Sequence, residues 1–290
     1  HTISFSVTGV QTCALPISDD RKKLVNHYLS QYLKALDEKH IDALVNVEGA
    51  QNPLFLKVVL AELRVFGAHG LLGERIRRDF GGTPLSAFTA ALHRMEADPA
   101  YTAIEPRRAV TLLFGALAHA RRGLPEDLLA RLFVAELPLP DTEQSYDDAI
   151  ETIRLYLRQM RPFLARREQR HDFFYETFVV AARERYAREV NELGCRPTAD
   201  WHRAIAAVCE KWEELSGASR RYAVANLPAH LAEAGQINDL VPLLENLAFL
   251  EAKVVAGMTF ELTGDFAQAL RVVPSDHPEQ IGRASCRERV

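Results

Sequence analysis

Along most of this chain, apolar side chains return at steps of three and four, the period of an α-helix with one buried face. Tyr146, Ile150, Ile153, Leu157 and Met160 show it most plainly, behind Thr142 as a cap. Leu24, Tyr28, Tyr32 and Leu36 follow the acidic pair Asp19-Asp20, which supplies an N-cap. Trp201, Ile205, Val208, Trp212 and Leu215 form a third stripe, closed by Ser216-Gly217. Two segments are apolar nearly all round and are expected to be buried. One is Pro53 to Phe66, which opens on a proline suited to a first helical turn and stops before Gly67 as a C-cap. The other is Arg107 to Ala120.

Further helices are expected from Gly81-Gly82-Thr83-Pro84 to Met95, over Glu126 to Phe133 and over Glu176 to Val190. After Cys195-Arg-Pro197 and the tryptophan stripe come Tyr222 to Glu233, Ile237 to Leu247 and Leu250 to Leu262, with Gly235 and Gly264 between them. The convincing β signal is a pair of short runs, Pro162 to Arg166 and His171 to Tyr175, around a charged tip, as in a hairpin. A small helical set leading into a hairpin is the winged-helix arrangement; the alternative is a helix interrupted by a charged patch. Short, regularly punctuated helices at the end suggest TPR-like stacking of helix pairs, without a strict repeat. The expected fold is mainly α: a helical subdomain over 19–100, a winged helix with one short β-hairpin over 101–192, then helical-repeat-like helices over 193–280.

Both ends look foreign to this pattern. Val7 to Ser18, VTGVQTCALPIS, resembles the conceptual translation of a sequencing adapter, and Ile281 to Val290, IGRASCRERV, resembles that of the opposite adapter. Residues 1–18 and 281–290 are therefore expected to be adapter-derived tails around an insert, Asp19 to Gln280, cut open at both ends. Cys13 and Cys286 fall in the tails, leaving Cys195 and Cys209, too few for a disulfide framework and suited to a reducing cytoplasm. The net charge of −4, more negative without the arginine-rich C-terminal tail, argues against a nucleic-acid coat or an anionic-membrane binder. No apolar run approaches the roughly 20 residues that a membrane-crossing helix needs.

Self-sufficient chemistry is not visible. The glycines never fall into the phosphate cradle G-x-x-x-x-G-K-[ST], and no serine sits in a G-x-S-x-G turn. Cys195, His202 and Cys209 are spaced seven apart, about 10 Å along a helix, too far to share one ion. Asp147-Asp148 reads as a solvated helix face. The tip Arg166-Arg167-Glu168-Gln169-Arg170 reads either as a solvated turn or as a basic wing touching phosphates. No catalytic residue and no metal ligand is assigned.

Four motifs carry a resemblance. Asn52-Pro-Leu-Phe-Leu-Lys-Val-Val-Leu-Ala-Glu-Leu-Arg-Val-Phe-Gly67 resembles the segment just after the nucleotide-binding core of STAND-class P-loop ATPases, the NACHT and apoptotic-ATPase signalling proteins. Arg122-Gly-Leu-Pro-Glu-Asp-Leu128 is similar to their R-G-L-S-E-x-E-L. Phe173-Phe-Tyr-Glu-Thr-Phe178, with Ala181 to Tyr186, is similar to F-F-H-x-x-F/L…A-V-x-x-R-Y. Asn226-Leu-Pro-Ala-His-Leu-Ala-Glu-Ala-Gly235 is similar to L-P-x-H-L-x-x-A-G, which leads into TPR or WD-type repeats.

The resemblance implies a regulatory fragment. In such proteins ADP clamps the ATPase core against the winged helix, and exchange for ATP releases the clamp and permits homo-oligomers. Asn52 and Pro53 would then lie at the adenine, although Pro53 also reads as an ordinary first-turn proline. Tyr175 stands where the family has a histidine reaching the ADP phosphates, and it also reads as a core aromatic. The P-loop, the Mg²⁺-binding strand and the effector domain would lie upstream, so the fragment itself is expected to be no enzyme and to hold no nucleotide. ATP/ADP with Mg²⁺ belongs to the intact parent. Two rivals remain open: a DNA-binding winged-helix transcription regulator, and a helical-repeat scaffold without nucleotide.

Overall fold

In a computed structural model of the protein, the described residues are 18–65, 72–98, 104–137, 139–140, 142–189 and 194–273. Among them the chain is mainly helical with one small antiparallel sheet, and it falls into two compact units, one up to Ala91 and one from Leu92. The expected adapter tails, apart from Ser18, and the expected C-cap Gly67 lie outside the described residues.

The first unit holds α1 (Ser18–Ser30), α2 (Glu38–Val45), α3 (Pro53–Val65), α4 (Leu72–Arg78) and the first half of α5 (Pro84–Ala97). The α3 residues from Phe55 to Leu63 are buried except Lys57, as an apolar surface on every side of the helix requires. Thr83 and Ser86 cap α5 reciprocally: the Ser86 N–H donates to Thr83 Oγ1 at 3.1 Å and the Thr83 N–H to Ser86 Oγ at 3.0 Å. The Leu24-Tyr28-Tyr32-Leu36 stripe is corrected. Helix α1 stops at Ser30, the chain turns through Leu33 at φ 55°, and Val25 and Leu29 are the buried positions. A turn that needs left-handed backbone ends the helix before the stripe is complete.

The second unit continues with α6 (Pro106–His119), β1 (Leu124–Pro125), α7 (Glu126–Glu136), α8 (Glu143–Gln159), β2 (Leu164–Arg167), β3 (Arg170–Phe173) and α9 (Glu176–Tyr186). The sheet order is β1-β3-β2, all antiparallel, with Leu124 opposite His171 and Ala165 opposite Asp172. Helix, strand, two helices and a hairpin in this order make the winged helix. Strand β1 leaves no periodic signal in the sequence, because two residues cannot show a period. Gly123 makes it possible: at φ 78° it takes the left-handed turn, and a Cβ there would lie 2.4 Å from the His171 carbonyl oxygen.

Helix α6 is buried on all sides from Ala109 to His119. At Gly115 a Cβ would lie 2.3 Å from the Trp201 ring, so this glycine lets the indole seat against the helix. Trp201 opens the last block: α10 (Thr198–Cys209), α11 (Gly217–Glu233), α12 (Ile237–Glu245), α13 (Leu247–Val255) and α14 (Thr259–Val272). The single helix expected over Leu250 to Leu262 is instead two. At the end of α13 the Gly257 N–H bonds the Val254 carbonyl and the Met258 N–H the Lys253 carbonyl, with Gly257 at φ 76°. That Schellman closure stops the helix. Gly264, expected as a break, lies inside α14, and α11 starts earlier than expected, at Gly217.

Candidate functional site

Asn52 and Pro53 are exposed in the first unit. Asn52 Oδ1 accepts the Leu54 N–H at 2.9 Å, and Pro53 opens α3, where its missing N–H costs nothing. Tyr175 belongs to the second unit. It stands at the N-cap of α9 in extended conformation, half-buried, with its ring edge-on to Phe174 and Phe178 at 4.7 and 5.3 Å. Its local setting is therefore an aromatic cluster.

The other motif residues occupy defined structural posts in the second unit. Glu126, at the first turn of α7, accepts from Arg154 Nε and His171 Nε2, each at 2.9 Å. Burial alone would raise its carboxyl, but these hydrogen bonds outweigh burial and hold it below the usual carboxylate range. The neighbouring Asp127 accepts from the Tyr146 hydroxyl and from Arg131, and it too is held low against the effect of burial. At the end of α9, Arg185 grips both oxygens of Glu96 at 2.6 and 2.5 Å, and the Tyr186 hydroxyl donates to the same carboxylate at 2.8 Å. Burial raises the Tyr186 phenol well above its ordinary value.

A buried histidine network joins α6, α10 and α11. The Tyr222 hydroxyl and His230 Nε2 are 2.8 Å apart, as are His230 Nδ1 and His202 Nδ1. The Arg121 backbone N–H donates to the Tyr222 oxygen at 3.2 Å. His230 Nε2 is the acceptor in reach of the phenolic hydrogen, and in the tautomer that takes it Nδ1 is the protonated nitrogen of His230 and the donor to His202 Nδ1. His119 donates its Nδ1 hydrogen to the Gly115 carbonyl at 2.8 Å, and its Nε2 is buried without a partner. Desolvation pushes His119 and His202 down to about 4 and His230 to about 3, so all three are neutral at pH 7. The sequence singled out His230 as part of the Asn226 to Gly235 motif and His202 in a cysteine–histidine spacing, without connecting the two. Tyr222 lies two turns away on the same helix, but His202 comes from α10, and no spacing could join the two helices.

Among the described residues no cluster of three His, Cys, Asp or Glu side chains is arranged to hold a metal ion, and no helix is long and apolar enough to cross a membrane. Cys195 is half-buried and Cys209 buried, and neither is in a disulfide. No protein-family model matches the chain, and no curated protein matches it.

Proposed function

We propose that this chain is the helical and winged-helix part of a cytoplasmic STAND-class signalling ATPase that alternates between a closed ADP form and an open, oligomeric ATP form. The observation that carries the reading is where the four motifs fall. The Asn52-Pro53-Leu54 motif starts α3, the Arg122 to Leu128 motif turns into β1 and α7, the Phe173 to Phe178 motif joins β3 to α9, and the Asn226 to Gly235 motif ends α11. Each marks the junction or end of an element, in the family's order. The warrant for function remains analogy of order and site.

Bound nucleotide would supply the contact that holds an upstream core closed against the winged helix, a two-state element biased by ligand. The protein's own contribution is an exposed Pro53 ring open to apolar contact with adenine, and a neutral Tyr175 hydroxyl as hydrogen-bond donor. The reading requires a P-loop core and an effector domain on the N-terminal side, and TPR or WD-type repeats beyond α14. It also takes the two tails as adapter sequence.

The DNA-binding rival is disfavoured by charge. In the winged-helix order the recognition position belongs to α8, which carries Glu143, Asp147, Asp148 and Glu151 against Arg154 and Arg158. Arg154 is already engaged by Glu126. An acidic helix repels a phosphate backbone. The test of the ATPase reading is nucleotide retention: the parent protein, purified with its upstream core, is expected to carry ADP. A parent that neither retains nor binds ADP would contradict it.

A further inference from the structure

In the second unit a groove of about 650 Å³ lies between the turn before β1, the hairpin tip, α11 and the α13–α14 corner. Four arginines from three separate stretches of chain line it: Arg121 and Arg122 before β1, Arg170 at the start of β3, and Arg221 on α11. Asn226 and Met258 also line it, together with Glu168, Glu261 and Asp265.

The acidic residues of the groove are mostly engaged. Glu168 pairs with Arg170 at 2.9 Å, and Asp265 pairs with the buried Lys253, which leaves Glu261. Arg121, Arg122 and Arg221, by contrast, make no ion pair within 4 Å among the described residues, and Arg121 is near enough to Asp265 to favour its charged form. Three guanidinium groups without an ion pair are thus gathered around one concavity.

The arginine turn is also fixed in place. Arg122 holds a left-handed backbone at φ 62°, unusual for a side chain of its size, and the Arg121 N–H is fastened to the Tyr222 hydroxyl. Tyr222 is itself fastened to His230. A rigid backbone presenting several planar guanidinium forks suits oxygens spread over linked phosphates, each fork taking two. The volume falls within the usual range for small-molecule sites, roughly 300–1,000 Å³.

We propose that this groove binds a short phosphate chain, an anion of two or more linked phosphates, through Arg121, Arg122 and Arg221. Linked phosphates offer more oxygens to guanidinium groups presented from separate elements than one tetrahedral anion does, so affinity is expected to rise with chain length. The site involves neither Pro53 nor Tyr175 and stands independently of the ATPase reading.

The test is calorimetric titration of the full chain with inorganic tripolyphosphate, with sulfate as the short control, at low and moderate salt. The protein is expected to bind one tripolyphosphate saturably and sulfate much more weakly. Arg121→Ala combined with Arg221→Ala is expected to weaken binding by about tenfold or more, since it removes two charge-assisted contacts. Arg122→Gly removes a guanidinium while keeping a residue that accepts the left-handed backbone, so it separates lost binding from lost folding. Arg158→Ala, on the exposed side of α8, is expected to bind as the parent does. Absence of saturable binding, equal affinity for sulfate, or unchanged affinity in a folded Arg122→Gly would overturn the proposal.

Discussion

The Tyr222 hydroxyl and His230 Nε2 are hydrogen-bonded across 2.8 Å, inside a core where neither side chain meets water. The direction of this bond and the tautomer of His230 are coupled, and with them the direction of the next bond, to His202. The hydroxyl also ties the winged helix to the following helices, because the phenolic oxygen accepts the Arg121 N–H. Removing the hydroxyl by Tyr222→Phe strands the Arg121 N–H and His230 Nε2. A loss of about 1–3 kcal/mol in unfolding free energy is expected, the usual cost of an unsatisfied buried polar group. Urea denaturation of the variant at neutral pH measures it.

Acid should unfold the second unit through the same network. His119, His202 and His230 titrate at about 4, 4 and 3 in the folded state, against 6.5 when exposed. Between those values the unfolded chain takes up protons that the folded chain refuses, so stability is complete above about pH 6.5 and falls as pH drops towards 4. Each histidine contributes a slope of about 1.4 kcal/mol per pH unit. Denaturant midpoints collected from pH 7 to pH 4.5 are expected to fall throughout, and His202→Gln is expected to flatten the decline. A midpoint constant over that range would contradict the buried, neutral assignment.

Glu96 has three hydrogen bonds to lose. Its carboxylate satisfies both forks of Arg185 and the buried Tyr186 hydroxyl. Glu96→Ala therefore leaves a guanidinium and a phenol without their acceptor, and about 3–5 kcal/mol of destabilisation is expected, as for a broken buried pair. Glu96→Gln, which keeps one acceptor oxygen, is expected to cost less. Chemical denaturation of the two variants side by side checks the order.

The hairpin carries local strain that can be relieved. Its two-residue loop, Glu168-Gln169, lies between the paired Arg167 and Arg170 with φ of 48° and 65°. Two positive φ values mark a type I′ turn, for which Asn-Gly is the preferred sequence. Gln169→Gly is expected to stabilise the protein by about 1 kcal/mol, the usual cost of left-handed backbone in a residue with a side chain. A rise in melting temperature, or its absence, decides the point.

How legible this protein is from sequence depends on how local each feature is. The span of α8 is written in its own residues, a repeating apolar stripe behind Thr142, whose hydroxyl does cap the helix at Ser145. The start of α3 at Pro53 and the β2–β3 hairpin are equally local. Strand β1 is invisible because it consists of two residues and depends on Gly123 passing beneath His171. The α13–α14 break was hidden by apolar residues on both sides of Gly257, while Gly264 drew attention for a helix end that does not exist. The histidine network and the arginine groove assemble residues from α6, β3, α11 and beyond, so only tertiary structure reveals them. For Asn52, Pro53 and Tyr175 the sequence identified residues with sound local roles, at a helix start and in an aromatic cluster.

In the intact parent, Tyr175 itself can be tested. If it faces the phosphates where the family has a histidine, Tyr175→His adds a potentially charged donor to a contact now made by a neutral one. ADP release is then expected to slow about tenfold, since hydrogen bonds to charged groups exceed neutral ones by roughly 1–2 kcal/mol. An unchanged off-rate of a fluorescent ADP analogue, in a variant of equal melting temperature, would remove Tyr175 from the nucleotide site.

The central claim is that these helices and this winged helix are the regulatory part of a nucleotide switch. Reading the source DNA through both junctions and upstream of Asp19 tests it most directly. The account predicts that VTGVQTCALPIS and IGRASCRERV are absent from the genomic frame, and that a G-x-x-x-x-G-K-[ST] cradle followed by an acidic strand is encoded in frame ahead of α1. An upstream frame without that cradle would contradict it.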